Sequence, residues 1–180
     1  MKVDNTTIAN LRRDYSSEPF DMAHTDASPF VQFGKWFQEA LSSEVLEPNA
    51  MTLATASSSG KPSARIVLLK GYDENGFVFF TNYNSAKGQE LADNPQASLV
   101  FLWLELQRQI RIDGRVEKIS AKESEEYFQS RPKGSQIGAY ASPQSEVISD
   151  RSIIENNVTR LGEQYSGVDV LPRPEHWGGY

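Results

Sequence analysis

Three groups of cations and hydroxyl-bearing residues in this chain have the chemistry of phosphate binding. In the first, Arg65 and Lys70 stand at the two ends of the apolar run Ile66-Val67-Leu68-Leu69. An unbroken apolar run predicts a buried strand, and charges beside a buried strand need solvent or anions at its ends. Because residues five apart point to opposite faces of a regular strand, the two cations serve different ligands, or one lies beyond the strand end. The alternative without a ligand is an ordinary strand with cations at its rim.

The second group follows the segment Phe80-Thr81-Asn82, where a predicted strand runs through a polar turn into a helix. Lys87 falls in the first turn of that helix. Free N–H groups at a helix N-terminus favour phosphate, and a lysine there opposes the helix dipole unless an anion is near. The alternative is an exposed lysine that interacts only with water.

The third group consists of Tyr127, Arg131 and Ser135. Tyr127 and Arg131 are four residues apart and share one face of a predicted helix, and the turn at Pro132 can bring Ser135 to the same point. A phenol, a guanidinium and a hydroxyl together suit a phosphate monoester. A solvated helix end is the alternative.

Polar side chains elsewhere could contact the edge of a heterocycle, or lie on the surface: Gln109 on a predicted strand, and Gln144 and Ser145 in a loop. The sequence contains no evident Ser-His-Asp arrangement and no closely paired carboxylates. The candidate residues are donors and cations, so they predict a site that binds phosphorylated aromatic molecules and leaves the chemistry to a cofactor.

The composition excludes several classes of function. A net charge of −6 argues against electrostatic binding of nucleic acid. The absence of cysteine excludes thiolate catalysis. The sequence has only two histidines, which are far apart, and this argues against a histidine-rich metal site, so we expect no metal. No apolar run is long enough to span a membrane, and no signal-peptide pattern is present, so a cytoplasmic location is expected.

The elements that must position these residues are predicted from periodicity and capping signals. Helices are expected at 8–15, from Ser28-Pro29 to about 41, at 85–93, from Ser120 to Pro132, and at 149–165. Strands are expected at 51–56, 64–70, 77–82, 98–104 and 109–119, with an Asn-Gly hairpin turn at 73–76. Hairpin-linked strands with peripheral helices predict a small antiparallel barrel of the α+β class. We expect a partly flexible segment at 1–29 and one domain at 30–180.

The order of these motifs resembles the pyridoxine/pyridoxamine 5′-phosphate oxidase family. The resemblance covers nearly the whole chain and rests on the following segments: Leu11-Arg12-Arg13-Asp14-Tyr15, Arg65–Lys70, Phe80-Thr81-Asn82, Arg108-Gln109, Tyr127–Pro132, Ser135–Ala139, Gln144-Ser145 and Trp177-Gly178-Gly179. It implies an FMN-binding split β-barrel that forms a homodimer with FMN at the interface.

The resemblance also implies roles for individual residues. The implied FMN contacts are Arg65, Ile66, Val67, Leu68, Leu69, Lys70, Phe80, Thr81, Lys87, Gln109, Gln144 and Ser145. The implied substrate contacts are Arg12, Arg13, Asp14 and Tyr15, which can cover the substrate, and Lys70, Tyr127, Arg131 and Ser135 at its phosphate.

The implied reaction is the oxidation of pyridoxamine 5′-phosphate or pyridoxine 5′-phosphate to pyridoxal 5′-phosphate, with O2 as acceptor and H2O2 as product. Two features depart from the family pattern. Ala86 stands where the family usually has an arginine, so one cation of the flavin phosphate site is missing. The family's C-terminal segment with an Arg-Leu-His motif lies past the position of Tyr180, so we expect a C-terminally incomplete domain and assign no catalytic residue.

Two alternatives share the same barrel. One is a non-catalytic protein that binds FMN or pyridoxal phosphate, and the other is a different split-barrel flavoenzyme such as a flavin reductase. Release of H2O2 on addition of pyridoxine 5′-phosphate would separate the oxidase from the non-catalytic binder.

Overall fold

The structure is a computed structural model that describes residues 5–12, 14 and 20–180. The α-helices are α1 (Asn5–Ala9), α2 (Pro29–Ser42), α3 (Ala86–Asp93), α4 (Ala121–Ser130), α5 (Lys133–Ala141) and α6 (Ser152–Gln164). The strands are β1 (Ala50–Ala56), β2 (Pro62–Leu68), β3 (Gly71–Asp73), β4 (Gly76–Val78), β5 (Phe80–Asn82), β6 (Gln96–Trp103), β7 (Arg108–Arg115) and β8 (Trp177–Gly179). Short 3₁₀ helices cover Met22–His24 and Leu104–Leu106.

The chain divides into two compact units. The small unit contains the described residues up to Pro48 together with Leu102–Gln109, and the large unit contains Asn49–Phe101 and Ile110–Tyr180. Within the described part of the chain, none of the helices combines the length and the apolar character that a membrane crossing requires.

The small unit is organised around α2. The Ser28 hydroxyl accepts a hydrogen bond from the Val31 amide at 3.4 Å, which confirms Ser28 as the N-cap. The apolar face of the helix packs through aromatic rings, with the Phe37 centroid 6.1 Å from that of Trp103. Trp103 is buried.

Strands β1, β2, β6 and β7 form a four-stranded antiparallel sheet with the order β2-β1-β6-β7. Strand β1 pairs with β2 from Ala50↔Leu68 to Ala56↔Pro62, and its other edge pairs with β6. Buried side chains alternate along β1, so one face of the sheet supplies a core.

The prediction of a buried strand at Arg65–Lys70 is wrong in one respect. Strand β2 lies at the sheet edge, and its side chains alternate between partly buried and exposed. Ile66 is 65% exposed and Leu68 is 36% exposed, because both point to the exposed face of β2, opposite to Arg65 and Val67. The strand ends at Leu68, so Lys70 lies beyond it, which was one of the two predicted explanations for the spacing.

The hairpin predicted at 73–76 is present between β3 and β4, but its two-residue loop is Glu74-Asn75, because Asp73 pairs with Gly76. The Asp73 carboxylate accepts hydrogen bonds from the amides of Asn75 at 2.8 Å and Gly76 at 3.2 Å. The single strand predicted at 77–82 is divided into β4 and β5, because the pairing partner changes from β3 to β8 at Phe79.

Helix α5 and strand β8 were not predicted. Helix α5 packs with α6 in a second core, whose buried members are Phe128, Ile137, Ala141, Leu161, Leu171 and Trp177. Strand β8 pairs with β5 in the register Phe80↔Gly179 and Asn82↔Trp177. A Cβ at Gly178 would overlap the Tyr83 side chain, so this position needs glycine for close packing.

Gly88 gives a test of close packing in α3, because a Cβ there would overlap the backbone carbonyl of Tyr83. We expect Gly88→Ala to lower the free energy of unfolding by roughly 1–3 kcal/mol, since backbone cannot move aside as a flexible side chain can. The matched control is Gly162→Ala in α6, where no atom lies within 4 Å of the added Cβ. That change is expected to stabilise by about 0.5–1 kcal/mol. Urea unfolding measures both, and similar effects of the two substitutions would contradict the packing argument.

Candidate functional site

The large unit contains a cavity of about 780 Å³ between β2, β5, α4 and α5. It is lined by Arg65, Ile66, Val67, Leu68, Lys70, Phe80, Thr81, Asn82, Lys87, Tyr127, Arg131, Pro132, Ser135, Gly138, Ala139, Ser142, Gln144 and Trp177. The three groups of candidate residues, which are distant in sequence, therefore meet around one cavity.

Most of the residues expected to contact a flavin or a substrate phosphate line this cavity, but several do not. Leu69 is buried but does not line the cavity. Ser145, which follows Gln144 and has a backbone φ of 69°, does not line it either. Gln109, Arg12 and Asp14 belong to the small unit. Arg13 and Tyr15 lie outside the described residues.

The lining includes residues that were not assigned to the site from sequence. These are Asn82, Pro132, Gly138, Ala139, Ser142 and Trp177. A correct prediction of α5 would have found two of them, because Ser135, Gly138 and Ser142 recur at helical spacing on one face. Trp177 was recognised only as part of a glycine-containing motif.

Arg65 is held by a polar network that reaches into α3. Its Nη2 donates to Glu90 Oε2 at 2.9 Å, and its Nη1 donates to the hydroxyl of Thr55. The same carboxylate accepts from the hydroxyls of Thr55 at 2.5 Å and Ser63 at 2.6 Å. Burial alone would raise the pKa of Glu90, but the two hydroxyls and the guanidinium outweigh it and lower that pKa below its ordinary value. Arg65 is thus oriented, and its charge is partly neutralised.

Lys87 is buried with 9% exposure, and its ammonium contacts neutral oxygens. Its Nζ donates to Thr81 Oγ1 and Gln144 Oε1, each at 3.1 Å, and to Ser85 Oγ at 3.4 Å. Burial, and then the nearby Arg65 guanidinium, lower the pKa of Lys87, while Glu90 acts in the opposite direction. Its positive charge has no ion-pair partner among the residues that the structure describes, so it is available to an anion.

Helix α3 lies within the helix predicted at 85–93, and its N-cap is Ser85. The Ser85 hydroxyl accepts from the Gly88 amide at 3.4 Å and donates to the Asn82 carbonyl at 2.6 Å. The turn at Ser85 lies between Asn82 and Lys87 in sequence, and both of these residues line the cavity.

Arg131, at the end of α4, carries an unsatisfied donor. Its Nη1 is buried and has no hydrogen-bond partner. The guanidinium carbon lies 4.6 Å from the ring centroid of Trp177 and 5.8 Å from that of Phe128. Burial lowers the pKa of Arg131, which Tyr127 partly offsets. A buried charged donor without an acceptor is costly, so an anionic oxygen in the cavity would stabilise this side chain.

Aromatic rings form the wall beside Arg131. The rings of Phe80 and Tyr127 stack with centroids 3.8 Å apart, and those of Phe80 and Trp177 stack at 5.3 Å. The lining contains no carboxylate and no histidine. Across the described part of the chain, His, Asp and Glu side chains form no cluster of three that could hold a metal ion. The cavity therefore offers cations, hydroxyls and aromatic faces, which suit phosphorylated aromatic molecules.

Comparison with known proteins identifies the family. The model of the pyridoxamine 5′-phosphate oxidase family matches residues 37–165. The pyridoxine/pyridoxamine 5′-phosphate oxidase of Nostoc sp. is 57% identical over 96% of this chain and 80% of its own length. The protein of the same name from Burkholderia mallei is 57% identical over 97% of this chain and 81% of its own length. The chain therefore belongs to the pyridoxamine 5′-phosphate oxidase family.

Solved structures agree with this assignment. PhzG from Burkholderia lata 383, in complex with tetrahydrophenazine-1-carboxylic acid, superposes with a TM-score of 0.85 at 30% identity, over 92% of this chain and 82% of PhzG. A pyridoxamine 5′-phosphate oxidase-related, FMN-binding protein from Nostoc punctiforme has the same fold, with a TM-score of 0.60 at 18% identity over 73% of each chain. The predicted fold class, an α+β split β-barrel of the FMN-binding type, is confirmed.

The Arg65–Glu90 network predicts a pH-dependent stability. A glutamate whose pKa is lowered on folding contributes stability that is present above its ordinary pKa of about 4.5 and is lost as pH falls through the lowered value. We expect Glu90→Gln to lower Tm at pH 7 by roughly 2–6 °C through the loss of charge-assisted hydrogen bonds. The difference from the wild type should shrink below pH 4.5.

Glu163→Gln on the exposed surface of α6 is the matched control, and it should leave Tm nearly unchanged at every pH. Thermal unfolding followed by circular dichroism between pH 3.5 and 8 measures the difference. A Glu90→Gln deficit that stays constant across this range would contradict the role of the carboxylate charge.

Proposed function

We propose that this protein catalyses the FMN-dependent oxidation of pyridoxamine 5′-phosphate and pyridoxine 5′-phosphate to pyridoxal 5′-phosphate, with O2 as acceptor and H2O2 as product. The observation that carries the proposal is the buried, unpartnered Nη1 of Arg131 beside a stack of aromatic rings. A phosphorylated aromatic molecule would fit this arrangement, with its ring against the aromatic rings and a phosphate oxygen at Nη1. Sequence identity of 57% to proteins named as this oxidase supports the same substrates.

The flavin phosphate is assigned to Arg65 and Lys87. Lys87 fits this role because its ammonium is buried among neutral oxygens and carries an uncompensated charge. Arg65 fits because Glu90 and Thr55 fix its orientation while it lines the same cavity. The strand residues 66–68 with Phe80, Thr81 and Gln144 would flank the flavin. When bound, FMN supplies the acceptor for hydride from the substrate and passes the electrons to O2.

The substrate phosphate is assigned to Lys70, Tyr127, Arg131 and Ser135. Arg131 would donate from its free Nη1, and the Tyr127 and Ser135 hydroxyls can add neutral donors from consecutive helices. The chain's contribution to the reaction is to hold two anionic molecules in contact and to exclude water from the aromatic wall. Both phosphates are held by local cations in a chain whose net charge is −6.

A homodimer with FMN at the interface is part of the proposal. Ile66 and Leu68 line the cavity and are also exposed on the edge strand β2, so one apolar wall of the cavity is open. A second copy of the chain would cover this wall and shield the flavin from solvent. The assignments of Gln109 and Ser145 to the flavin, and of Arg12, Arg13, Asp14 and Tyr15 to the substrate, remain predictions.

The reaction is tested with FMN-loaded protein and pyridoxine 5′-phosphate. We expect a yellow protein that releases one H2O2 for each pyridoxal 5′-phosphate, because O2 accepts two electrons for each substrate oxidised. Pyridoxine without phosphate is the matched control, and its kcat/KM should be at least tenfold lower, because it cannot pair with Arg131. A protein that takes up no FMN, or an FMN-loaded protein that forms no pyridoxal 5′-phosphate, would refute the oxidase.

The separation of the two phosphate sites gives a second test. We expect Arg131→Ala to raise KM for pyridoxine 5′-phosphate roughly 10–100-fold, which is the usual range for losing a hydrogen bond to a charged group. The dissociation constant of FMN should change less than about twofold, since Arg131 is assigned to the other phosphate.

Lys87→Met is the complementary variant, and it should weaken FMN binding more than substrate binding. Quenching of flavin fluorescence measures the affinity for FMN, and initial rates with FMN in excess measure KM. Equal losses of both ligands in Arg131→Ala would show that the phosphates are not held separately.

A further inference from the structure

We propose that Trp177 is a positioning residue that holds the Arg131 guanidinium ready for the substrate phosphate. The inference rests on the proposed function, and it assigns a task to a residue whose side chain lines the cavity without being expected there. The Arg131 guanidinium carbon lies 4.6 Å from the centroid of the Trp177 ring, within the range of cation–π attraction.

Arg131 needs such support because its buried Nη1 has no hydrogen-bond partner among the described residues to hold it. A free arginine side chain has many rotamers, and each one lost on binding weakens the complex. The guanidinium makes cation–π contacts with Trp177 and Phe128, and Trp177 is the nearer at 4.6 Å against 5.8 Å.

An aromatic face restrains a guanidinium without consuming its hydrogen bonds. A carboxylate accepts the N–H donors directly, as Glu90 does from Arg65 at 2.9 Å. A ring attracts the charge through its π-electrons, so the N–H donors stay free for an oxygen ligand. This accounts for a guanidinium that is both held in place and left with an unpartnered Nη1. Arg65 is thus oriented by a carboxylate that accepts its hydrogen bonds, and Arg131 by an aromatic ring that leaves its Nη1 donor free.

The Trp177 ring is itself held in place by its neighbours. Trp177 is 7% exposed and lies opposite Asn82 in the β5–β8 pair. Its ring stacks on Phe80 with an interplanar angle of 14° and meets Phe128 edge-on at 5.2 Å. Its backbone amide donates to the Pro174 carbonyl at 3.0 Å, and its carbonyl accepts from Arg173. Each of these contacts restricts the ring, so its position defines that of Arg131.

The test uses FMN-loaded protein and a pair of ligands that differ only in phosphate. 4-Deoxypyridoxine 5′-phosphate and 4-deoxypyridoxine are suitable, because neither can be oxidised at C4′ nor form an imine with lysine. We expect Trp177→Leu to raise the Kd of the phosphorylated ligand roughly 3–30-fold, the range of a desolvated cation–π contact. The Kd of the unphosphorylated ligand should stay within about twofold, and Trp177→Phe should retain part of the lost affinity. Titration calorimetry measures all the values.

A double-mutant cycle with Arg131→Ala separates positioning from general packing. If Trp177 acts through Arg131, Trp177→Leu has little further effect on the phosphorylated ligand once Arg131 is removed. Additive losses, or equal losses for both ligands, would overturn the inference. Trp177→Phe in the same cycle gives the answer if Trp177→Leu does not fold.

The same measurements distinguish this inference from the proposed function. Loss of phosphate selectivity in Arg131→Ala, without coupling to Trp177, would refute the positioning role alone. Unchanged selectivity in Arg131→Ala would refute the substrate-phosphate site, and with it the inference.

Discussion

The pairing of β8 with β5 is the contact on which the cavity depends. Strand β5 carries Phe80 and Thr81. Strand β8, which is distant in sequence, pairs with β5 and places Trp177 beside them. Without this pair, the aromatic wall would lose the ring that contacts Arg131. The pair forms because Gly178 and Gly179 leave room for the side chains of Tyr83 and Ile119. A strand of three residues thus connects β5 to α4, which supplies another wall of the cavity.

Burial of cations determines the chemistry of the cavity. Arg65, Lys87 and Arg131 are all partly or fully removed from water, and each is stabilised differently: by a carboxylate, by neutral oxygens and by aromatic faces. These stabilising contacts differ in how much positive charge they leave for a ligand. Arg65 retains the least, because Glu90 neutralises it, whereas Lys87 and Arg131 retain theirs.

Local patterns predicted most of the elements, and tertiary contacts account for the errors. The caps at Ser28, Ser85 and Ser120 and the Asn-Gly turn depend on side chains within four residues, so they could be read from the sequence. Helix α5 contains Gly134 and Gly138, which lower its intrinsic propensity, and it is stabilised by packing on α6. Strand β8 has two glycines in three residues, a composition that does not favour a strand. It forms a strand because it pairs with β5. The exposure of Ile66 could not be predicted either, because an apolar run does not reveal which face of a strand is left uncovered. The site followed the same division: the cations were identified by type and spacing, but Trp177 was missed because its contact with Arg131 exists only in three dimensions.

The arrangement around Lys87 has a consequence for how a ligand enters. An ammonium has three N–H donors, and Thr81, Ser85 and Gln144 together accept all three. In the proposed flavin site, a phosphate oxygen would therefore have to replace one of these acceptors at Lys87. Thr81 and Ser85 belong to β5 and the cap of α3, whereas Gln144 lies in the loop that follows α5. The amide of Gln144 can leave with the least disturbance of packed elements. If a phosphate binds Lys87 as proposed, its binding would be linked to the position of that loop, because the Gln144 amide oxygen competes with the ligand for the same ammonium.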